Sequence, residues 1–538
     1  MEKMLSKIDL LNEIGVALSS EKNNQRVLEL ILNGAKRLTN ADGGSLYTVT
    51  DDQKLKFEIV TTDSLNIIMG GTSGQAISFE PLPLYVNGKK NLSMVVTNAV
   101  LCDESINIAD AYHVDEYDLS GTRKFDESTG YRTQSLLTIP MKNHEGDVIG
   151  VLQLINRIDA DSGEVVTFSE EDQKLAESLA SQAAVALTNK KLIDEQKALF
   201  EAFIKLIATA IDEKSPYTGG HCRRLPDLTM MIAEACDLEQ QGPLAGFSMQ
   251  DKDRYELMIA GWLHDCGKVT TPEYVIDKST KLETIYDRIE TVNTRFEVLK
   301  RDARIDYLEQ REQALQNNDP SRLQALQTEY EARIAQLDDD REYLQQANVG
   351  GEYMSDDKQQ RVRDIAAYRW RNGNGEEQPL LDDDEVKNLT IAKGTLTDEE
   401  RQVINNHIVV TIKMLEQLPF PKHLQKVPEY AGGHHERMDG RGYPRGLTRE
   451  QMSWQARMMG IADIFEALTA RDRPYKKGKT LTECLNILGK MRLDNHIDPD
   501  IFNAFVKHRV YRKYADEFLT EEQIDEVDHA SIPGYAGD

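Results

Sequence analysis

Histidine side chains occur in three short glycine-containing motifs of this chain, and two of these motifs also contain acids. His221 lies in YTGGHCRRL, the pair His264-Asp265 in GWLHDCGKV, and the pair His434-His435 in GGHHERMDGRGYP. Imidazole and carboxylate groups together bind divalent metals such as manganese, iron, nickel and zinc. An aspartate next to a ligand histidine can serve two metal ions if its carboxylate bridges them, and two close ions are a known solution for phosphate ester hydrolysis. The motifs therefore indicate metal-dependent phosphate chemistry.

Two further candidate ligands lie in segments with a helical pattern, His407 in EERQVINNHIVVT and Asp463 in GIADIFEALTARDRPYK. A single histidine on a helix is more often structural than a metal ligand, so each motif is weak when it is taken alone. The chain lacks the GxxxxGK[ST] phosphate-binding loop, which argues against a P-loop nucleotidase. The combination and order of the motifs carry the inference.

In that combination the motifs resemble those of the HD-GYP phosphodiesterases. HHERMDGRGYP fits the HHExxDGxGYP signature of the family at every specified position, and HDCGK fits its HDxGK motif. TGGHCRRL, LTDEERQVINNH and IADIFEALTARDRPYK resemble the segments that carry the other ligands of the family. The resemblance covers about residues 200–280 and 390–510. It implies an all-α domain that holds two or three metal ions and cleaves cyclic di-GMP to linear pGpG or GMP, or cyclic GMP-AMP in some members.

The same resemblance assigns roles to individual residues of this sequence. The implied metal ligands, with Asp265 bridging, are His221, His264, Asp265, His407, His434, His435 and Asp463. Lys268 of HDxGK would contact or position the scissile phosphate, and it is the second expected catalytic residue beside Asp265. Arg473 and Lys476 of RPYK would bind substrate phosphate, and the alternative for them is an ordinary surface pair. The loop residues expected to shape the edge of the site or to face a protein partner are Asp439, Gly440, Gly442, Tyr443 and Pro444.

The sequence departs from the family pattern at the first histidine motif. Members with three metal ions resemble xETGGH, with a glutamate four positions before the histidine, and Tyr217 occupies that position here. Tyrosine is a poor metal ligand, so we expect two divalent ions per chain. Whether they are iron, manganese, nickel or zinc is left open by the ligand types.

The second departure is a long insertion between Asp265 and His407. Residues 282–350 contain two apolar stripes at helical spacing, separated by the turn-forming segment NNDP, and they predict an antiparallel helical hairpin. This hairpin could cover the site, dimerise or recruit a partner. Residues 371–388 are rich in acids and predict an exposed acidic loop.

The N-terminal part of the chain has a different pattern. Residues 1–40 have helical periodicity, and residues 41–156 contain short β-branched segments separated by Gly, Asn and Asp. Residues 20–190 resemble a GAF domain, especially the cyclic-nucleotide-binding GAF domains of mammalian-type phosphodiesterases. Their NKFDE signature is approached by Asn156, Arg157, Phe168 and Asp172, with Gln173 in place of glutamate.

This near match implies a cyclic mononucleotide held near Asn156, Phe168 and Asp172. Asn156 as a turn cap and Phe168 as a core aromatic are equally good alternatives. In that case the GAF domain would serve for dimerisation alone.

A long helix is predicted from Ser169, its N-cap, to about residue 213. Along it an apolar residue recurs every seven positions, at Val185, Leu192, Leu199 and Leu206. Such a repeat is typical of a parallel two-stranded coiled coil, although the companion positions are polar. We therefore expect a homodimer joined through residues 185–213. The alternative is that this face packs on its own domain.

Composition limits the partners and the compartment. The 538 residues include 91 acidic and 64 basic side chains, a net charge of -27 that disfavours nucleic-acid polymers and anionic membranes. The five cysteines are scattered and odd in number, which fits a reducing compartment. No apolar run is long enough for a signal peptide or a membrane span, so the sequence predicts a cytoplasmic protein.

Together these features predict a multidomain protein. Its parts are an α+β GAF-like sensor at 1–190, a connecting dimer helix at 185–213, and an all-α HD-GYP domain at 214–538. The predicted activity is GAF-regulated, metal-dependent hydrolysis of cyclic di-GMP. The alternatives are a preference for cyclic GMP-AMP, or a weakly active receptor that binds a cyclic dinucleotide and signals through the hairpin or the GYP loop. A general HD-type nucleotidase would not explain the GYP loop.

Overall fold

The computed structural model of the chain describes residues 2–21, 23–214, 220–351, 353–471, 478–535 and 537, with side chains from residue 6 onward. Arg473, Lys476 and Tyr217, three residues singled out from the sequence, lie outside these ranges. The chain divides into two compact units, residues 1–200 and 201–538. Every helix in the described ranges is too short or too polar to cross a lipid bilayer.

The first unit is an antiparallel sheet with helices. Its helices are α1 (Glu2–Ser20), α2 (Asn24–Thr39), α3 (Val95–Cys102), α4 (Ser120–Thr129) and the start of α5 (Glu170–Asp212). Its strands are β1 (Ala41–Val49), β2 (Lys54–Thr62), β3 (Ile67–Gly70), β4 (Leu82–Pro83), β5 (Tyr85–Val86), β6 (Lys89–Lys90), β7 (Ile106–Ile108), β8 (Leu136–Lys142), β9 (Val148–Ile158) and β10 (Val165–Val166). The main sheet has the order β3-β2-β1-β9-β8-β7, with β4 on β2 and β10 on β9.

Alternation along the strands divides the side chains of this sheet between two cores. In β1, Leu46 joins the core formed with α1, α2 and the first turns of α5, whereas its neighbour Tyr47 joins a core on the other side. Successive side chains of a strand point to opposite faces, so both faces of the sheet are covered. This architecture confirms the predicted α+β fold of the first unit.

Helix α5 begins with a reciprocal cap. The hydroxyl of Ser169 accepts a hydrogen bond from the Asp172 N–H at 3.1 Å, and the Asp172 carboxylate accepts one from the Ser169 N–H at 3.1 Å. Both interactions satisfy N–H groups that have no partner inside the helix. Ser169 is therefore the N-cap, as predicted.

The second unit is almost entirely helical, as predicted. After the end of α5 its helices are α6 (His221–Asp237), α7 (Asp251–Leu263), α8 (Glu273–Ile276), α9 (Ile289–Gln316), α10 (Pro320–Asn348), α11 (Asp356–Ala366), α12 (Asp383–Leu389), α13 (Asp398–Glu416), α14 (Val427–Gly432), α15 (Trp454–Thr469), α16 (Leu481–Leu493), α17 (Pro499–Lys507) and α18 (Val510–Phe518). Helix α6 packs against α7 and α15, and α14 packs against α7, α13 and α15. These contacts bring together the helices that carry the histidine motifs.

Helices α9 and α10 run antiparallel as a hairpin inserted between the motifs. The ammonium group of Lys300 pairs with Asp338 at 2.8 Å, and the guanidinium group of Arg341 pairs with Glu297 at 2.9 Å. The hairpin packs with α11 and α12 around a hydrophobic core of its own, which includes the fully buried Phe296.

The prediction of an exposed loop at 371–388 needs correction. Strand β11 (Arg369–Arg371) pairs with β12 (Glu377–Pro379), and α12 follows within the predicted loop. Asp382 caps α12 by accepting a hydrogen bond from the Glu385 N–H at 2.7 Å, while Glu385 accepts one from the Asp382 N–H at 3.0 Å. The acids thus start a helix, because carboxylates at a helix N-terminus satisfy unpaired N–H groups.

Candidate metal centre

The seven predicted ligands come from five different segments of the second unit. His221 is the first residue of α6, and His264 and Asp265 follow the last residue of α7. His407 lies within α13, and Asp463 lies within α15. His434 and His435 follow Gly433, the C-cap of α14, where the chain leaves the helix. The fold therefore brings together residues that are far apart in the sequence.

Asp265 lies between two groups of histidines. One potential metal site consists of His221, His264 and Asp265, and the other of His407, His434 and His435. One carboxylate oxygen of Asp265 lies 3.0 Å from His264 Nε2 and 3.4 Å from His221 Nε2. Its other oxygen lies 3.2 Å from His407 Nε2. The two oxygens of Asp265 thus face different histidine groups, as a bridging carboxylate must.

Asp463 faces the same space from α15. One of its oxygens lies 3.3 Å from His221 Nε2, and the other lies 4.0 Å from His435 Nδ1. This second carboxylate also spans the two histidine groups. The geometry therefore gathers all seven predicted residues around one centre.

Backbone carbonyl groups fix the orientation of three of the rings. The Nδ1 atoms of His264, His407 and His434 lie 2.8, 2.5 and 2.6 Å from the carbonyl oxygens of Gly261, Ile404 and Ala431. A carbonyl can only accept, so each Nδ1 carries the proton and each Nε2 presents a lone pair.

Two of these Nε2 atoms lie close to another imidazole of the centre. His221 Nε2 lies 3.1 Å from His264 Nε2, and His435 Nε2 lies 3.3 Å from His407 Nε2. Two buried atoms, Asp265 Oδ1 and His434 Nε2, make no hydrogen bond within the described residues. Buried polar groups normally have partners, so these two atoms are available to a cation. The donor set therefore fits divalent metal ions.

The electrostatics around His434 and Asp265 also favour bound cations. Burial, together with the neighbouring His435 and His264, holds the pKa of His434 well below its usual value. Burial opposes ionisation of Asp265 as well, but His264 and Lys268 outweigh it and hold the pKa of that carboxyl well below its usual range. Neutral imidazoles and ionised carboxylates are the forms in which these side chains bind metals.

The glycine of HDxGK is required by a close approach of two backbones. A Cβ atom on Gly267 would lie 2.0 Å from the carbonyl oxygen of His407. The Gly267 N–H donates to the hydroxyl of Thr411 at 2.9 Å. Gly267 therefore allows the HDCGK segment to lie directly on α13, which carries His407.

The loop after the histidine pair is folded back on the site. The ring of Tyr443 stacks on His435 at 4.8 Å, and the Tyr443–Pro444 peptide bond is cis. Gly440 has a φ of 77°, and a Cβ on Gly442 would lie 2.4 Å from backbone atoms of residues 436 and 437. Asp439 pairs with Arg437 at 2.8 Å. These contacts are internal to the loop, apart from the stack of Tyr443 on a predicted ligand.

Lys268 lies at the accessible side of the centre. Its Nζ is 2.6 Å from the Asp265 carboxylate, and 25% of its side chain is exposed, against 0% for His264 and 2% for Asp265. Burial lowers the pKa of Lys268, but Asp265 and Asp463 outweigh it and raise the pKa above its usual value, so the ammonium group stays charged. A phosphate group entering from solvent would meet this cation.

Two acids that were not picked out from the sequence support the ligands. Glu466 is buried, contacts His221 Nδ1, and accepts a hydrogen bond from Arg224 Nε at 2.8 Å. Glu436 accepts hydrogen bonds from the N–H groups of Arg445 at 2.8 Å and Leu447 at 2.9 Å. These two hydrogen bonds fix the backbone of the GYP loop next to the histidine pair. The spacing of Glu466, three residues after Asp463 on one helix, was a usable signal, because such residues share a face.

The three predicted sensor residues make structural contacts in the first unit. Asn156 accepts a hydrogen bond from the Gln134 N–H at 2.7 Å and donates one to the Arg132 carbonyl at 2.8 Å. Phe168 is buried in the core under α5.

Asp172, the third of these residues, accepts a hydrogen bond from Arg157 Nε at 2.7 Å, besides its role in the cap of α5. The Asn156, Phe168 and Asp172 side chains thus join β9, the following loop and α5. These contacts favour the turn-cap and core roles that the sequence left open.

Comparison with known families agrees with the two folds. A model described as a GAF domain matches residues 23–187, and a model described as an HD domain matches residues 383–501. The chain is 40% identical over 114 residues to a cyclic di-GMP phosphodiesterase of Pseudomonas aeruginosa, which is 21% of this chain and 26% of that protein. It is 37% identical over 123 residues to a 3'3'-cGAMP-specific phosphodiesterase of Vibrio cholerae, 23% of this chain and 26% of that protein.

A third relative is a cyclic di-GMP phosphodiesterase of Thermotoga maritima. It is 34% identical over 155 residues, which is 27% of this chain and 40% of that protein. The chain thus spans between 26% and 40% of the length of these relatives. The predicted GAF and HD assignments are confirmed, and this chain is a protein with an N-terminal GAF domain and a C-terminal HD domain.

Proposed function

We propose that this protein is a metal-dependent phosphodiesterase that hydrolyses a cyclic dinucleotide. The observation that carries the proposal is the position of Asp265, whose two oxygens face two separate histidine groups at 3.0 to 3.4 Å. Two divalent ions bound there would supply an activated water and offset the charge that develops on the phosphate oxygens. The ligands proposed for them are His221, His264, Asp265, His407, His434, His435 and Asp463.

The remaining proposed roles belong to cationic side chains. Lys268 would bind a non-bridging oxygen of the scissile phosphate, since its charged ammonium group lies at the accessible side of the centre. Arg473 and Lys476 would bind substrate phosphate as well. Their support is the RPYK motif alone.

Cyclic di-GMP is the proposed substrate. It is supported by the HHERMDGRGYP and HDCGK motifs and by the names of two of the three relatives described above. The third relative is named for 3'3'-cGAMP, so this dinucleotide is the alternative substrate.

The proposal is tested by supplying purified full-length protein with each dinucleotide and separating the products by chromatography. We expect cyclic di-GMP to be converted to pGpG or GMP, and about two metal ions per chain by elemental analysis, as in a bridged dinuclear site. Faster turnover of 3'3'-cGAMP would reassign the substrate. Tight binding of either dinucleotide without any product would favour a receptor, and three metal ions would contradict the inference drawn from Tyr217.

We further propose that the protein is a homodimer joined along α5. The repeat residues Val185, Leu192, Leu199 and Leu206 are between 40% and 62% exposed in the single chain. Four large apolar side chains in one repeat are costly to leave in water, and a second copy of the helix would bury them.

Regulation by a cyclic mononucleotide at the GAF domain rests on the partial NKFDE match, and the internal contacts of Asn156, Phe168 and Asp172 favour a dimerisation-only domain.

Replacing one repeat residue tests this interface. Leu199→Asp removes a leucine from each copy and places two carboxylates together, so we expect the dimer dissociation constant to rise about 100-fold or more, given about 1.5 kcal/mol per leucine. Analytical ultracentrifugation measures this constant. Ala198→Asp, which adds the same charge at an exposed neighbouring position, is the matched control.

The same pair of variants tests regulation. If the GAF domain binds cyclic AMP or cyclic GMP, the nucleotide should change turnover of the wild type and of Ala198→Asp, and change it less in Leu199→Asp. If calorimetry detects binding of neither nucleotide to an intact dimer, the GAF domain serves for dimerisation alone or binds a different ligand.

A further inference from the structure

The last turn of α5 contacts the segment that carries the first histidine ligand. Asp212, the final residue of α5, is 5% exposed. Its carboxylate accepts hydrogen bonds from the N–H groups of Gly220 at 3.1 Å and Cys222 at 3.2 Å. These two N–H groups flank His221, the first residue of α6. The first N–H groups of a helix have no partner within the helix, so this carboxylate fixes the start of α6 and with it the His221 backbone.

A second residue just beyond α5 contacts the other part of the same ligand group. Lys214 Nζ donates to the carbonyl oxygens of Lys268 at 3.2 Å, Val269 at 2.5 Å and Thr271 at 2.7 Å. These carbonyls belong to the short helical turn that follows Asp265 and to its C-cap, Thr271. All three protons of the ammonium group are therefore directed at the segment that holds the bridging carboxylate and Lys268.

We infer that Asp212 and Lys214 are positioning residues that set the distance between His221 and Asp265 from the end of α5. This inference rests on the proposed function and names a route for its regulation. His221 Nε2 and Asp265 Oδ2 are 3.4 Å apart and belong to one potential metal site. A shift of the last turn of α5 would move both ligands, because each of their segments is hydrogen-bonded to it. Neither Asp212 nor Lys214 is a proposed metal ligand.

The inference is tested by metal binding in the full-length protein, with manganese(II) alone as the probe. We expect Lys214→Met and Asp212→Asn each to weaken manganese binding about 10-fold in calorimetric titrations, the lower end of the effect of outer partners of metal ligands. Lys214→Arg keeps a cationic donor and should restore most of the affinity. The matched control is Lys205→Met, since Lys205 is an exposed lysine of α5 that lies over the ring of Trp262 at 5.9 Å.

Thermal unfolding separates positioning from simple stabilisation. If both variants lower the melting temperature but bind manganese with wild-type affinity, the residues are only structural and the inference is overturned. Asp212→Asn retains the size of the side chain and one acceptor oxygen, so it keeps the test decisive if Lys214→Met fails to fold. The readout needs no substrate. If no cyclic dinucleotide is hydrolysed, the proposed function is refuted. The manganese affinities of the wild type and the variants would still decide whether Asp212 and Lys214 are positioning residues.

Discussion

Asp265→Asn is expected to lower the turnover of cyclic dinucleotide about 1,000-fold or more, because one group that stabilises developing charge is already worth about 100- to 1,000-fold. The substitution preserves the shape of the side chain and removes the charge that faces both histidine groups at 3.0 to 3.4 Å. We also expect the metal content to fall below the wild-type value. An amide has one acceptor oxygen and cannot bridge two cations as a carboxylate does. Steady-state kinetics and elemental analysis on the same preparation measure both effects.

A carboxylate outside the centre provides the control for this experiment. Asp516 lies on α18 and pairs with Arg512 at 2.9 Å on the surface. Asp516→Asn should leave both turnover and metal content unchanged. Wild-type turnover in Asp265→Asn would contradict the bridging role. Loss of turnover with full metal content would leave Asp265 with a role toward substrate and exclude bridging.

The candidate metal ligands could be predicted from the sequence because their chemistry and their motifs are local. His264-Asp265 and His434-His435 each place two ligand-type side chains side by side, within the longer motifs HDCGK and HHERMDGRGYP. His407 and Asp463 were weaker candidates as single residues, and only the order of the motifs singled them out. The structure places these side chains around one centre.

The roles of some other residues depend on contacts between segments that are distant along the chain, so no local sequence pattern predicts them. Gly267 is required because α13 lies 2.0 Å from where its Cβ would be, and nothing in HDCGK specifies that neighbour. The hydrogen bonds of Lys214 reach carbonyl groups on a different element. Glu466 gains its role from His221, which is on another helix.

The acidic segment 371–388 shows how composition can mislead about local structure. Its charge density predicted an exposed loop, and most of its side chains up to Pro379 are indeed exposed. However, Asp382 and Glu385 form a capping box that starts α12. Leu380 and Leu381 join the core of the hairpin insertion. The same carboxylates that favour solvent also favour a helix N-terminus, and two adjacent leucines decide which effect prevails.

Lys268→Met is expected to lower turnover about 100-fold while the metal content stays at the wild-type value. The charged Nζ lies 2.6 Å from Asp265 at the accessible side of the centre, where it can stabilise charge on a phosphate, a contribution typically worth about 100- to 1,000-fold. Methionine has a similar length but no charge. Removing the ammonium group also removes a competitor for the Asp265 carboxylate, so metal affinity should not decrease.

The combination of the two readouts distinguishes a substrate contact from a structural role. If Lys268 only held Asp265 in place, Lys268→Met would lose metal ions and turnover together, in proportion. If it contacts the phosphate, turnover alone falls. Lys387→Met, which removes an exposed lysine paired with Glu399 at 2.6 Å, should change neither quantity and controls for the loss of one positive charge. Unchanged turnover in Lys268→Met would contradict the proposed phosphate contact of Lys268 and leave phosphate binding to the metal ions and to other cations.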